Sequence, residues 1–374
     1  MDRKIRVLAI NPGSTSTKVA LFEDYNELFS VSVDHSREDL KPFSDISGQL
    51  EYRSEMIEKT MIEKGFNMAD VDVFSGRGGG VNTVPGGVYK VTDLLAGDAA
   101  AFMSGNGHPA QLGPQLAKRY ADKYGKSAVV VNPPDTDEFY DVARITGLKG
   151  VYRESHVHAL NQKEIALRFC AENGYKYEET NLIICHLGGG ISITAHNKSR
   201  MIDSNDIIKG SGPMTPTRAG DLPYMDVIDL AYSGKYTRQE LIDRCNKNGG
   251  LTDLFGTAEV RDIIKLADDG NYYAGVVLNA LAYQISKYIG AMAVALKGNV
   301  AAIILTGGIS NGTGVTDLID EYVGWIAKVV IMPGEFELEA LAAGAVRAMR
   351  GEEELKTYTG VPVWDGVAAQ NSIK

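Results

Sequence analysis

An internal echo constrains this chain more than any other feature. The segment RVLAINPGSTSTKVALF at residues 6–22 and the segment LIICHLGGGISITAH at 182–196 share one plan. Each is an apolar strand, a polar residue, a glycine-bearing turn and a second strand. Aligning Asn11 with His186 places Gly13 on Gly188, an offset of 175 residues. That is about the size of one domain, and 374 residues leave room for two. Two similar α/β domains are expected.

Apolar periodicity fills in the rest. Strands are expected at 6–10, 18–22, 28–33, 71–75, 128–131, 182–186, 191–196, 302–306 and 328–332. Helices are expected at 51–64, 110–124, 158–173, 258–268, 272–297, 315–327 and 337–351. The polar-to-apolar transition at 149–160 is the expected crossing between domains. This gives an N-terminal domain at 1–155, completed by the helix near 337–351, a C-terminal domain at 156–336, and a peripheral tail at 352–374.

Composition narrows the function classes. Lys plus Arg number 38 against 48 Asp plus Glu, a formal charge of -10, so no global field favours nucleic acid or anionic membrane. Any anionic ligand must be met locally, by particular arginines, helix N-termini or a metal. Three widely spaced cysteines without a C-x-x-C pair fit reduced thiols and a cytoplasmic protein and disfavour zinc. The first apolar run is too short for a secretory leader, and the longest apolar stretch, 276–296, carries Gln284, Ser286 and Lys287.

Glycine, 41 residues, clusters after apolar runs. A strand followed by a sharp glycine turn exposes backbone N–H groups to an anion, and small hydroxyl residues let the anion come close. INPGSTSTK offers Ser14, Thr15, Ser16 and Lys18; HLGGG offers His186, Gly188, Gly189 and Gly190; ILTGGIS offers Thr306, Gly307 and Gly308 at a helix start. Three such turns point to a nucleotide. A P-loop and a dinucleotide fingerprint are both missing, since the one Gly-Lys-Ser, at Gly125, follows a helix and lacks the first glycine.

The three loops together resemble the acetate and butyrate kinases, members of the superfamily of sugar kinases, actin and heat-shock ATPases. The resemblance spans about 5–351, and VHALNQKEIA and TPTRAGDLP are closer to the butyrate branch. It implies α/β architecture: two duplicated ribonuclease H-like (actin-like ATPase) domains with a nucleotide cleft between them. It also implies ATP or ADP as co-substrate with Mg2+, a short-chain fatty acid as acceptor, and a homodimer or larger homo-oligomer built through the second domain. The expected reaction is reversible transfer of phosphate from ATP to butyrate or a branched four-carbon acid. Acetate kinase is the alternative within the class, and an actin-like or chaperone-like ATPase module the alternative outside it.

Phosphoryl transfer asks mainly for positioning and charge neutralisation, and arginine suits both. Arg77, among the glycines of SGRGGG, and Arg218, in TPTRAGD, are the candidates; two such clamps argue against a module that only hydrolyses ATP. The resemblance makes His158 a hydrogen-bond donor to the moving phosphoryl group, places His108 beside the substrate, and assigns Glu339 to assisting magnesium. Asn11 stands where sugar kinases usually carry Asp. A carboxylate substrate is already ionised at pH 7, so no general base is needed and an anion there would repel it. The family Asp expected after strand 128–131 is replaced by Asn132, leaving Asp137 or Asp135 as the magnesium-side carboxylate.

Overall fold

The computed structural model describes residues 3–101, 107–364 and 366. Residues 367–374 of the expected tail lie outside them. The chain divides into two compact units. One comprises Met1–Asp137, Ala159–Asn161 and Phe336–Lys374; the other comprises Glu138–His158 and Gln162–Glu335.

The first unit is built on a seven-stranded sheet. Its strands are β1 (Arg6–Pro12), β2 (Ser16–Glu23), β3 (Asn26–Asp34), β4 (Val73–Gly76), β5 (Val88–Lys90), β6 (Ser127–Val131) and β12 (Leu355–Thr357), ordered β12-β5-β6-β4-β1-β2-β3. Both faces are covered, so the central strands are apolar on both sides. Leu8 and Ile10 of β1 join a cluster with Phe74, Leu116 and Tyr120 on one face, and Val7 and Ala9 pack with Leu341, Ala345 and Val346 on the other. The second group belongs to the helix Glu337–Met349, whose Leu341 carbonyl accepts the Ser75 hydroxyl at 2.9 Å.

The second unit has the five-stranded sheet β11-β10-β7-β8-β9, from β7 (Asn181–Leu187), β8 (Ile191–Asn197), β9 (Arg200–Ser204), β10 (Ala302–Thr306) and β11 (Val329–Ile331). This order repeats β6-β4-β1-β2-β3 of the first unit. In each, an antiparallel three-strand meander is flanked by two strands parallel to its first member. The helix Tyr272–Ala295 buries Leu278, Leu281, Ile285 and Ile289 with Ile183, Cys185 and Ile193 of the sheet. Asn11 and His186 each stand sixth in their seven-residue strands.

Two expectations change here. The chain leaves the first unit at Asp137, upstream of the 155/156 boundary, because Glu138 is fastened into the second: its carboxylate accepts the Met201 N–H at 2.8 Å and pairs with Lys163 at 2.9 Å. The tail is not peripheral through the described residues. Leu355–Thr357 pairs with β5, and the buried Tyr358 hydroxyl donates to Asp98 at 2.7 Å and accepts the Asn82 N–H at 3.1 Å.

Candidate functional site

In each unit the candidate residues gather at the carboxyl ends of adjacent parallel strands, where open α/β sheets bind ligands. In the first unit these are β1 and β4, with Ile10 beside Gly76 and the Arg77 N–H donating to the Ile10 carbonyl at 2.8 Å. Arg77 therefore emerges next to Asn11. Its Nη1 lies 3.3 Å from Asn11 Oδ1 and 3.0 Å from Glu337 Oε1, and Asn11 Nδ2 donates to the other Glu337 oxygen. Gly113 makes this possible: a Cβ there would sit 2.1 Å from the Arg77 carbonyl oxygen, so only glycine lets the following helix, Leu112–Tyr124, pass.

Glu337, not Glu339, is thus the acid that meets Asn11 and Arg77. Both lie in the first turn of Glu337–Met349, but residues two apart on a helix point about 200° apart. His108 caps the turn Pro109–Gln111, its Nδ1 accepting the Ala110 N–H at 3.1 Å, which leaves the proton of the neutral ring on Nε2. Desolvation first, and the Arg77 charge second, hold its pKa below the ordinary histidine value, against a pull upward from Glu337.

The first glycine turn closes with Gly13 N–H donating to the Ser16 carbonyl at 2.7 Å, leaving Ser14 and Thr15 exposed. Lys18 pairs directly with Asn11 across the β1–β2 ladder, so both side chains leave the same face. Beneath the turn lies a group the sequence reading missed. Arg53, fully buried, donates to Thr17 Oγ1 at 2.9 Å, to Gln49 Oε1, and to the Ser16 carbonyl; His35 Nε2 lies 2.8 Å from the same Thr17 hydroxyl. Burial first and Arg53 second push the His35 pKa down to about 4.

In the second unit, parallel pairing sets Thr306 of β10 beside His186 of β7. Ser192 of β8 is paired opposite His186, and the His158 ring stacks on His186 at 3.9 Å between centroids and 20° between planes. The Gly188–Gly190 turn is held from behind: Thr215 and Thr217 hydroxyls both donate to the Gly189 carbonyl, at 2.7 and 3.1 Å. Thr215 Oγ1 in turn accepts the Arg218 N–H at 3.0 Å. The Arg218 guanidinium consequently lies against Gly190, where a Cβ would be 2.2 Å from Nη1. Nη1 is buried and has no hydrogen-bond partner, and desolvation lowers the pKa of the side chain while Asp206 opposes the shift. A buried guanidinium nitrogen without a partner is costly, and an incoming anion would satisfy it.

In the third loop, Gly307, at φ 88°, donates to the Gly334 carbonyl at 3.0 Å, as does the Thr306 hydroxyl. A short turn, Gly308–Asn311, precedes the helix Thr313–Val323, so Gly308 opens the turn rather than the helix.

Asn132 is a closure residue. It sits at φ 39°, a left-handed conformation that Asn tolerates, and it clasps Gly87 by two hydrogen bonds, Oδ1 accepting at 2.8 Å and N–H donating at 2.9 Å. Asp137 is buried and its N–H donates to the Val84 carbonyl. Among the described residues, no three His, Cys, Asp or Glu side chains cluster as a metal cage, and no helix is long and apolar enough to cross a membrane.

Comparison with known proteins gives the family and the fold. The model of the acetokinase family matches residues 142–324. The chain is 41% identical over 355 residues, 95% of its length and 99% of the relative's, to butyrate kinase 2 of Clostridium acetobutylicum. Among solved structures it resembles the acetate kinase of Porphyromonas gingivalis, with a TM-score of 0.76 at 18% identity over 92% of this chain and all of that one. It also resembles the acetate kinase of Entamoeba histolytica, with a TM-score of 0.73 at 15% identity over 91% and 98%. The 41% identity to a butyrate kinase along nearly the whole chain, with the family match, establishes that the chain belongs to the acetokinase family and is a kinase that phosphorylates a carboxyl group.

Proposed function

We propose that this enzyme transfers the γ-phosphoryl group of ATP to butyrate or a branched four-carbon acid, giving the acyl phosphate and ADP, and catalyses the reverse transfer at the same site. The observation that carries the reading is Arg218: a half-buried guanidinium whose Nη1 lacks a partner, wedged against a glycine turn. The butyrate kinase relative supports the acyl length. Acetate as preferred substrate is the competing reading.

A carboxylate oxygen attacks the γ-phosphorus as the bond to the β-phosphate bridging oxygen breaks, in line. The acceptor, with a pKa of about 4 to 5, is already ionised, and Asn11 adds no repelling charge. Arg77 and Arg218 neutralise charge on the acceptor and the moving phosphoryl oxygens, and His158 donates a hydrogen bond to those oxygens. His108 borders the acid. Ser14, Thr15, Ser16 and Lys18, with His186 and Gly188–Gly190, bind phosphate; Thr306, Gly307 and Gly308 border the nucleoside. Glu337 holds Arg77 until substrate replaces it.

Magnesium would supply charge neutralisation at the nucleotide phosphates, held chiefly by them and by water. Asp137, Asp135, Glu339 and the nearer Glu337 are the carboxylates to test as its helpers. Cytoplasmic residence is supported by three free cysteines. Self-association is supported by the helix Tyr224–Tyr232, which buries no residue and exposes Tyr224, Met225, Ile228 and Tyr232.

The test is kcat/KM for acetate, propionate, butyrate, isobutyrate and valerate with saturating MgATP, read as acyl hydroxamate. Two more buried methylenes at about 0.8 kcal/mol each predict roughly a tenfold preference for butyrate over acetate. Equal or better use of acetate transfers the assignment to acetate kinase, and absence of any acyl phosphate removes the carboxylate-kinase reading.

A further inference from the structure

Behind His158 runs a buried chain of hydrogen bonds whose proton positions can be assigned from one end. The Ser192 backbone carbonyl can only accept, so the Gln162 atom 3.1 Å from it is the amide nitrogen Nε2. The other terminal atom of Gln162 is therefore the oxygen, an acceptor, and His196 Nε2, 3.1 Å away, carries a proton. Burial holds the His196 pKa well below its ordinary value, so the ring is neutral; its Nδ1 accepts the Tyr177 hydroxyl proton at 2.7 Å.

The second hydrogen of Gln162 Nε2 points to Ser192 Oγ, at 2.8 Å. With one lone pair so occupied, and the His158 N–H also directed at Oγ from 3.4 Å, the hydroxyl hydrogen of Ser192 is turned toward His158 Nδ1, at 2.8 Å. Gln162, Ser192 and His196 are fully buried, so water does not compete for these bonds.

We propose that Ser192 and Gln162 are positioning residues that hold His158 as its neutral Nε2–H tautomer, so that the ring offers an N–H donor to the transferring phosphoryl oxygens. The strand register supports this: Ser192 is the cross-strand partner of His186, on which the His158 ring is stacked, so the hydroxyl and the stack fix ring and tautomer together. The role in transfer rests on the reading of His158 given above; the tautomer assignment does not.

The experiment is 15N NMR of histidine-labelled full-length protein, with the His158 signals assigned by their loss in His158→Asn, alongside steady-state kinetics. Wild type should show His158 protonated on Nε2 alone. Ser192→Ala should admit the Nδ1–H form and lower kcat at least tenfold, with KM for nucleotide and acid within twofold. Gln162→Met, which frees the Ser192 hydroxyl, should do the same more weakly, and Ser192→Thr should restore tautomer and kcat. A wild type with the proton on Nδ1 overturns the proposal whatever the variants do, as does a Ser192→Ala protein with an unchanged signature and kcat within twofold. A wild type that makes no acyl phosphate yet shows the Nε2–H form would refute the proposed reaction and leave the tautomer assignment standing.

Discussion

Replacing Gly190 by alanine separates the stability of this protein from its chemistry. The added Cβ would lie 2.2 Å from Arg218 Nη1, 3.1 Å from Cζ and 3.4 Å from Nη2. Carbon and nitrogen atoms in van der Waals contact stay about 3.5 Å apart, so the guanidinium must retreat by roughly 1 Å. The obstructing atoms are the end of a flexible side chain, and Gly190 is not among the residues with positive φ, so the backbone accepts alanine. The stability change should stay within about 1 kcal/mol, a melting shift of no more than about 4 °C. A misplacement near 1 Å at a charge-neutralising group lowers turnover on the order of 100-fold, about 2.7 kcal/mol of barrier. Hydroxamate trapping at saturating MgATP and acid measures it. Arg218→Ala should lose at least as much, and the double variant no more than Arg218→Ala alone, because both act through the same guanidinium. A Gly190→Ala enzyme that keeps a third of wild-type kcat, or losses that simply multiply in the double variant, would refute the placement of Arg218 in the reaction.

Arg77→Ala should likewise lower kcat at least 100-fold with little change in melting temperature, since its contacts are with Asn11 and Glu337 at a strand end rather than in a core. Glu337→Gln removes the group that pulls the His108 pKa upward, so the His108 titration, followed by NMR, should move further below the ordinary value; an upward move would contradict the geometry. His35 is neutral in the fold, with a pKa of about 4 against 6.5 unfolded, so its contribution is present above 6.5 and lost as pH falls toward 4. Urea midpoints should therefore drop across that window, and His35→Gln should flatten the drop. Tyr358→Phe strips partners from Asp98 and the Asn82 N–H and should destabilise the first unit by about 1 to 2 kcal/mol, read as a lower melting temperature.

The three glycine loops and the duplication were legible because their signals are local. An apolar strand, a turn residue and a second strand follow one another within about eighteen residues, and β1–β2 and β7–β8 form where that pattern stands. The helix Arg238–Asn246 was also announced, by a Thr237–Glu240 capping box that the reading passed over. The three-residue strands β5 and β12 are too short to show a period, and they form because the sheet supplies their partners, β6 for β5 and β5 for β12.

Sequence by itself thus determined the two-sheet α/β plan, the glycine loops between paired strands and the arginines set among glycines, since backbone period and turn chemistry are properties of neighbouring residues. Tertiary structure alone decided that Glu337 rather than Glu339 meets Arg77, because that depends on the phase of a helix more than 250 residues away in the chain. It decided too that Thr215 and Thr217 brace Gly189, that Arg53 lies beneath the first turn, and that Ser192 and Gln162 stand behind His158. Each of these is a contact made by a polar side chain with a group that packing brings to it. A buried donor takes whichever acceptor the fold sets within about 3 Å of it, and linear order carries no record of that distance.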